Sequence, residues 1–277
     1  MAEQRRTVER DGLSFDVYDD GPEDGEAVVL LHGFPERSTA WREVAPLLHA
    51  RGYRTLALDQ RGYSPGARPR RRRDYRFEAI SQDVVAVIDQ LVGAPAHVVG
   101  HDWGAVVAWL VAVRRPDLVR SLTAISVPHP MAYATGGLRQ LLKSWYVLAF
   151  SIPVVPELLA HREGGLFERK LAASGMTADD LARFRTEIVD AEALSGGLGY
   201  YRALFLSDPR LARRRVRVPT TFLWSDSDDF IARSSAERCG RYVDGPYDFV
   251  ELAGASHWLP TQEPQACADA ILARVSS

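Results

Sequence analysis

A doubly wound α/β fold is predicted, with a mostly parallel sheet, helices on both faces and one helical lobe inserted late in the chain. Three observations predict it. First, compact apolar runs at 27–31 (AVVLL), 53–58 (YRTLAL), 96–100 (AHVVG) and 121–126 (SLTAIS) alternate with amphipathic stretches near 38–50, 77–92 and 103–115. Runs apolar at every position suit strands buried on both faces, and strand–helix alternation implies parallel pairing through crossovers. Second, strand-like runs vanish between VPHP (127–130) and VPTTFLW (218–224). There LRQLLKSWYVLAF, TADDLARFRTEIVDAEAL and GYYRALFLSD read as helices, separated by Pro153, Pro156, Gly164, Gly165 and Gly175. Third, YDFVEL (247–252) supplies a last strand and TQEPQACADAILARV a closing helix. The expected division is a core of residues 1–130 and 216–277 and a helical cap of 131–215. LSFDVYD, alternating in period two, is expected as a half-exposed edge strand, and there is no internal repeat.

Length and composition narrow the function classes. A chain of 277 residues has room for one such core and one insertion. A formal charge of −2 gives no field to attract nucleic acid or a membrane, so neither is an expected partner. The basic cluster Arg68, Arg70, Arg71, Arg72 and Arg73 sits beside Pro65, Gly66 and Pro69 and reads as a solvated loop. Cys239 and Cys267 share no ligand or redox spacing and are expected as reduced thiols. No apolar stretch follows the basic N-terminal residues and no run is long enough to cross a bilayer, so a cytoplasmic protein is expected. There is neither a metal constellation nor a phosphate-binding glycine loop, so no metal and no cofactor are expected.

The chemistry is concentrated in HVVGHDWGAVVAWLVA. Gly100, Asp102 and Gly104 stand between a buried strand and a helix, the G-x-nucleophile-x-G elbow with Asp at its centre. A sharp strand-to-helix turn crowds the backbone, so its flanking positions lack side chains and the central residue is thrust out at a helix N-terminus, where negative charge is favoured. The plain alternative is an Asp that only caps the helix. The loop LLHGFPERSTAW, after another buried strand, argues for more: its Phe34 N–H and that of Trp103 are the two expected oxyanion donors. His257, in GASHWLP after the last strand, falls where a base follows nucleophile and acid in chain order. Asp226, Asp228 and Asp229 end the preceding strand, and Asp228, four residues beyond Trp224, is chosen as the acid with Asp229 in reserve. No Ser stands at position 102, which excludes a serine esterase.

With these segments in hand, the chain resembles the soluble epoxide hydrolases of the α/β-hydrolase superfamily. HGFPERSTAW, GYRTLALDQRGYS, GHDWGAVVAWLVAVRRPDLVRSLTAISVPH, WSDSDD and GASHW carry the resemblance across most of the core. It implies an α/β-hydrolase fold and two lid tyrosines that hold the epoxide oxygen. LKSWYVLAFSIP matches the first tyrosine helix, with Tyr146, and GGLGYYRALF the second, with Tyr201; Trp145 and Tyr200 leave a one-residue ambiguity at each. His32, Pro35, Trp145, Phe150 and Trp258 are the expected substrate-binding residues. Ser225 departs from the family, standing where glycine is common, and the segment between the tyrosine helices is unusually small and Gly-rich.

The residue types fit the reaction. Displacement at a saturated epoxide carbon by serine would leave a stable ether, whereas a carboxylate leaves an ester that water can cleave. The expected reaction is hydrolysis of a small hydrophobic epoxide to a vicinal diol through an ester on Asp102, cleaved by water that His257 activates. The alternatives are a haloalkane or haloacid dehalogenase with the same Asp-His-Asp machinery, in which Trp103 would cradle halide, and a non-catalytic ligand-binding protein on the same fold. Any self-association is expected to be a homodimer.

Overall fold

Ala27–Leu31 (β3) is buried at every position, and a strand with no polar face has to lie between neighbours and under helices on both sides. The computed structural model, which describes residues 4–276, builds an eight-stranded sheet around it. The other strands are β1 (Gln4–Arg10), β2 (Leu13–Asp20), β4 (Arg54–Leu58), β5 (Ala96–His101), β6 (Val119–Ile125), β7 (Thr220–Ser225) and β8 (Tyr247–Leu252). Their order is β1-β2-β4-β3-β5-β6-β7-β8; β1 and β2 are antiparallel to their neighbours, and from β4 to β8 all pairs are parallel. On the faces pack α1 (Ala45–His49), α2 (Phe77–Val87) and α3 (Trp103–Arg114).

Between β6 and β7 the chain forms a helical lid: α4 (Pro130–Ala134), α5 (Leu138–Lys143), α6 (Trp145–Ser151), α7 (Val155–His161), α8 (Leu166–Ala173), α9 (Ala178–Arg183), α10 (Leu194–Ala203) and α11 (Pro209–Ala212). The core resumes with α12 (Arg233–Glu237), α13 (Leu259–Gln262) and α14 (Pro264–Val275). Among the described residues no single helix is long and apolar enough to cross a membrane.

The strand expected at the edge lies one place inside it. LSFDVYD is in β2, paired to β4 on one side and covered on the other by β1, which sequence reasoning did not find. QRRTVER hides its pattern because Val8 alone is buried, but Asp11-Gly12, both at positive φ, form the two-residue turn that marks a hairpin. The helical pattern at 38–50 is split into a 3₁₀ turn, Ser38–Trp41, and α1, because Pro46 restarts the helix.

Hydrogen bonds and close backbone contacts fasten the lid to the core at many points. Gly196 in α10 lies so close to Gly62 that a Cβ there would overlap the Gly62 carbonyl, so the Gly-rich sequence LSGGLGYY lets α10 sit directly on a core loop. Arg68, from the basic cluster, donates to the carbonyls of Tyr63 and Ala191 at 2.7 Å each, whereas Arg70, Arg71, Arg72 and Arg73 are exposed. Gly196→Val is expected to lower the free energy of unfolding by about 1–3 kcal/mol, measured by urea denaturation, because the lid must lift or strain.

Candidate active site

Asp102 stands at the end of β5 and the start of α3 with φ 50° and ψ −119°, a strained backbone conformation for a residue with a Cβ, costing on the order of 1–3 kcal/mol. Two glycines make the turn feasible. A Cβ on Gly104 would overlap the Leu31 carbonyl, and one on Gly33 would collide with the Asp102 side chain itself. The carboxylate therefore rises at the carboxyl ends of β3 and β5, where a parallel sheet opens a crevice.

Its two oxygens have different surroundings. Oδ1 accepts a 2.8 Å hydrogen bond from the Phe34 N–H, next to the cis Phe34–Pro35 peptide, and Oδ2 stands 3.5 Å from His257 Nε2. The second expected oxyanion donor, Trp103 N–H, makes no hydrogen bond to this carboxylate among the described residues. The ring of His257 is oriented from behind: Nδ1 donates to Asp228 Oδ2 at 2.7 Å. Asp228 Oδ1 in turn accepts from the N–H groups of Phe230 and Ile231 at 2.7 and 2.9 Å. Asp228 is buried, while the reserve acid Asp229 is exposed at the cavity wall. Ser225, the departure from glycine, donates to the Ala255 carbonyl and ties the acid loop to the histidine loop.

Charge is retained in this buried place by mutual pairing. Burial alone raises a carboxyl pKa, but His257, His101 and the Phe34 N–H hold Asp102 below its ordinary value. Burial likewise disfavours an imidazolium, yet Asp228 and Asp102 together raise His257 to about 10. The resting pair is thus carboxylate and imidazolium. His101, behind the elbow, anchors the loop: its Nδ1 and Nε2 lie 3.1 Å from Glu36 Oε2 and 3.0 Å from the His257 carbonyl, which also accepts from Ser126 at 2.8 Å.

Above the carboxylate, between core and lid, lies a cavity of about 580 Å³. Tyr146 and Tyr201 both line it, with ring centroids 6.2 Å apart. Tyr200 turns away, against Tyr63, Tyr75 and Phe77, and Trp145 is 61% exposed at the cavity mouth. Burial, then the Asp102 charge, pushes the Tyr201 phenol well above its ordinary pKa; burial and the neighbouring phenols do the same for Tyr146, so both keep their protons. Phe34, Pro35, Phe150, His257 and Trp258 complete the part of the wall that sequence reasoning named.

Two expected positions lie elsewhere. His32 does not line the cavity: fully buried behind its loop, it bonds the Gly33 carbonyl through Nδ1 at 2.9 Å and accepts the Gln60 N–H on Nε2 at 3.2 Å. Its burial lowers its pKa, so it is a neutral prop for the loop that carries Phe34. The Trp103 indole is not part of the cavity wall either; it packs against Tyr201, Phe77 and Tyr200 at 4.8, 5.4 and 6.1 Å between centroids.

Comparisons with known proteins give the family and the fold. A family model for the alpha/beta hydrolase fold matches residues 26–264. Epoxide hydrolase 3 of Xenopus tropicalis is 34% identical over 267 residues, covering 92% of this chain and 72% of that protein. Epoxide hydrolase 4 of Homo sapiens is 33% identical over 274 residues, covering 93% and 74%. The chain belongs to the epoxide hydrolase family of the α/β-hydrolase superfamily. The crystal structure of epoxide hydrolase A from Mycobacterium thermoresistibile matches this fold with a TM-score of 0.85 at 27% identity, over 100% of this chain and 99% of that one.

The cavity wall also contains residues that sequence reasoning missed. Phe230 packs its ring 4.8 Å from that of His257 and 5.1 Å from Tyr146, and the buried Phe167 and Leu171 and the exposed Lys170 line the lid side of the cavity. Phe230 directly follows the acid motif SDSDD, which was a usable signal; the lid residues come from amphipathic helices whose inward faces depend on packing. Because His257 has its pKa raised above the unfolded value, its pairing adds stability in full below about pH 6.5 and loses it as pH climbs toward 10. Chemical denaturation across that window is expected to give a steeper loss for the parent than for His257→Gln.

Proposed function

We propose that this enzyme opens an epoxide to a vicinal diol in two steps, with Asp102 as nucleophile and His257 as the base that activates water. The observation that carries the reading is a carboxylate with one oxygen bonded by Phe34 N–H and the other beside His257, at the floor of a cavity that also holds two protonated phenols.

In the first step Oδ2 of Asp102 attacks an epoxide carbon as the ring C–O bond breaks, and the released oxygen takes a proton from Tyr146 or Tyr201. Two phenols above one carboxylate give the substrate a defined direction: carbon down, oxygen up. Esterification removes the negative charge of Asp102. What raises His257 at rest is the charge of Asp228 and Asp102 and its hydrogen bonds to both, so losing one carboxylate lowers its pKa and lets it shed its proton to the tyrosinate.

A neutral His257 then takes a proton from water, which attacks Cγ of Asp102. The oxyanion develops on Oδ1, the oxygen already held by Phe34, and Trp103 N–H is the second donor as that atom moves toward tetrahedral geometry. Asp228 offsets the imidazolium that forms. Collapse breaks the Cγ–Oδ2 bond and the departing alkoxide takes the second proton of the attacking water to leave as the diol; the proton that His257 shed has restored the tyrosine, and one oxygen of Asp102 has come from solvent.

The dehalogenase alternative needs a halide cradle, and its expected donor, the Trp103 indole, is outside the cavity wall. Two phenols serve an alkoxide leaving group, which needs a proton, better than a halide, which does not.

Tyr146→Phe with Tyr201→Phe is expected to cut kcat for an aryl epoxide on the order of a hundredfold or more, read by diol formation. An unchanged rate would remove the phenols from the mechanism. His257→Gln is expected to stop after the first step, so that intact mass gains one substrate and peptide mapping puts it on Asp102. The absence of any adduct, with turnover abolished, would count against the ester.

A further inference from the structure

The outer face of the lid is apolar where a surface helix is normally polar. Leu138, Leu141, Leu142, Trp145, Leu148 and Leu158 are each more than 60% exposed. From Ser144 to Pro156 there is no charged residue at all. The inward residues of α6, Tyr146, Val147 and Phe150, are half-buried against the core, so α6 is apolar all round. Helices of that kind belong in a core or against lipid rather than in water. The segments Leu138–Ser151 and Val155–His161 meet at a bend of 89°, so that α5, α6 and α7 spread their apolar residues over one broad platform.

We propose that this face docks on an anionic lipid surface and that apolar substrate passes from the lipid into the cavity through the mouth the face surrounds. Leu142, Trp145, Ile152, Val155, Leu159 and Leu166 are exposed and also line the cavity, so platform and entrance are continuous. A second copy of the chain seated there would cover the mouth. A lipid surface would supply it.

Charge points the same way. Arg139, Arg162, Arg169 and Lys170 flank the platform and are exposed, and Lys170 stands on the cavity wall itself. The exposed acids nearby are Glu163 and Asp229; Glu157 is engaged by Arg202 and Glu168 by Arg185. An apolar face rimmed by cations, with an indole at its edge, is the pattern of an interfacial helix. Passage of substrate rests on the epoxide reading above; docking does not.

The test is flotation of the full chain with vesicles of phosphatidylcholine alone or mixed with phosphatidylglycerol, beside a variant carrying Leu141→Ser, Leu148→Ser and Leu158→Ser. None of these three residues lines the cavity. The parent is expected to bind the anionic vesicles in a salt-sensitive manner, with the variant's partitioning lower by roughly tenfold or more. A second variant, Arg162→Glu with Arg169→Glu, is expected to lose the preference for the anionic lipid. Both variants should keep the parent's circular dichroism and its kcat/KM for a water-soluble epoxide in the absence of vesicles, while only the parent gains rate when a long-chain epoxide is presented in vesicles.

Failure of the parent to float with either vesicle would overturn the proposal. So would a parent dimer in sedimentation velocity that the leucine variant dissociates, with no vesicle binding, since the occupant would then be a second copy. Vesicle binding by a parent that turns over no epoxide in solution would refute the epoxide reading and leave docking supported.

Discussion

Keeping one carboxylate ionised beneath an apolar cavity is the constraint on which the rest of this molecule depends. An isolated charge moved out of water is costly, and a buried carboxyl group ordinarily escapes by taking up a proton. Asp102 does not, because four features converge on it: the start of α3, the Phe34 N–H, the imidazolium of His257, and Asp228 behind that imidazolium. Each comes from a different segment of the chain, and the sheet brings them together. The parallel order from β4 to β8 points the carboxyl ends of β3, β5 and β7 to the same edge of the sheet, β3 beside β5 and β7 one strand beyond, and these carry the Phe34 loop, the elbow and the acid. The strained backbone of Asp102 is tolerated because that packing over-determines it.

The same electrostatics supply a timing device for the proposed chemistry. A histidine raised to about 10 by two carboxylates is a poor base at rest, and it becomes a good one once one of them is neutralised as an ester. In that scheme the residue is held inactive until the intermediate exists. Asp228 is the constant partner, anchored by two backbone N–H groups, and Asp102 is the variable one.

Much of the site was legible because elbows and loops have local signatures. Gly100-His101-Asp102-Trp103-Gly104 announces a crowded turn in any context, His32-Gly33-Phe34-Pro35 a loop after a buried strand, and the order nucleophile, acid, base follows from chain position. The choice of Asp228 over Asp229 rested on spacing after a strand, and the structure buries the first beside His257 and leaves the second exposed. Reading failed where direction in space mattered. His32 carries the right chemistry in the right loop, yet the ring turns inward to bond Gly33 and Gln60. The Trp103 indole, adjacent to the nucleophile in sequence, swings behind Tyr201. Strand β1 was missed because its outward residues are polar or charged and its hydrophobic signal is a single valine.

Taken alone, the amino-acid order determined the fold class, the residue type at the strand-to-helix elbow and the presence of an inserted helical lid. Those properties follow from periodicity, from glycines that a tight turn demands, and from residue types whose reactivity is intrinsic. Only the tertiary structure decided which of two adjacent tyrosines, Tyr200 or Tyr201, faces the cavity, which loop residues touch its floor, and which side of the lid is left uncovered. A helix turns about one hundred degrees per residue, so neighbouring side chains part company, and the body that packs against the helix selects between them.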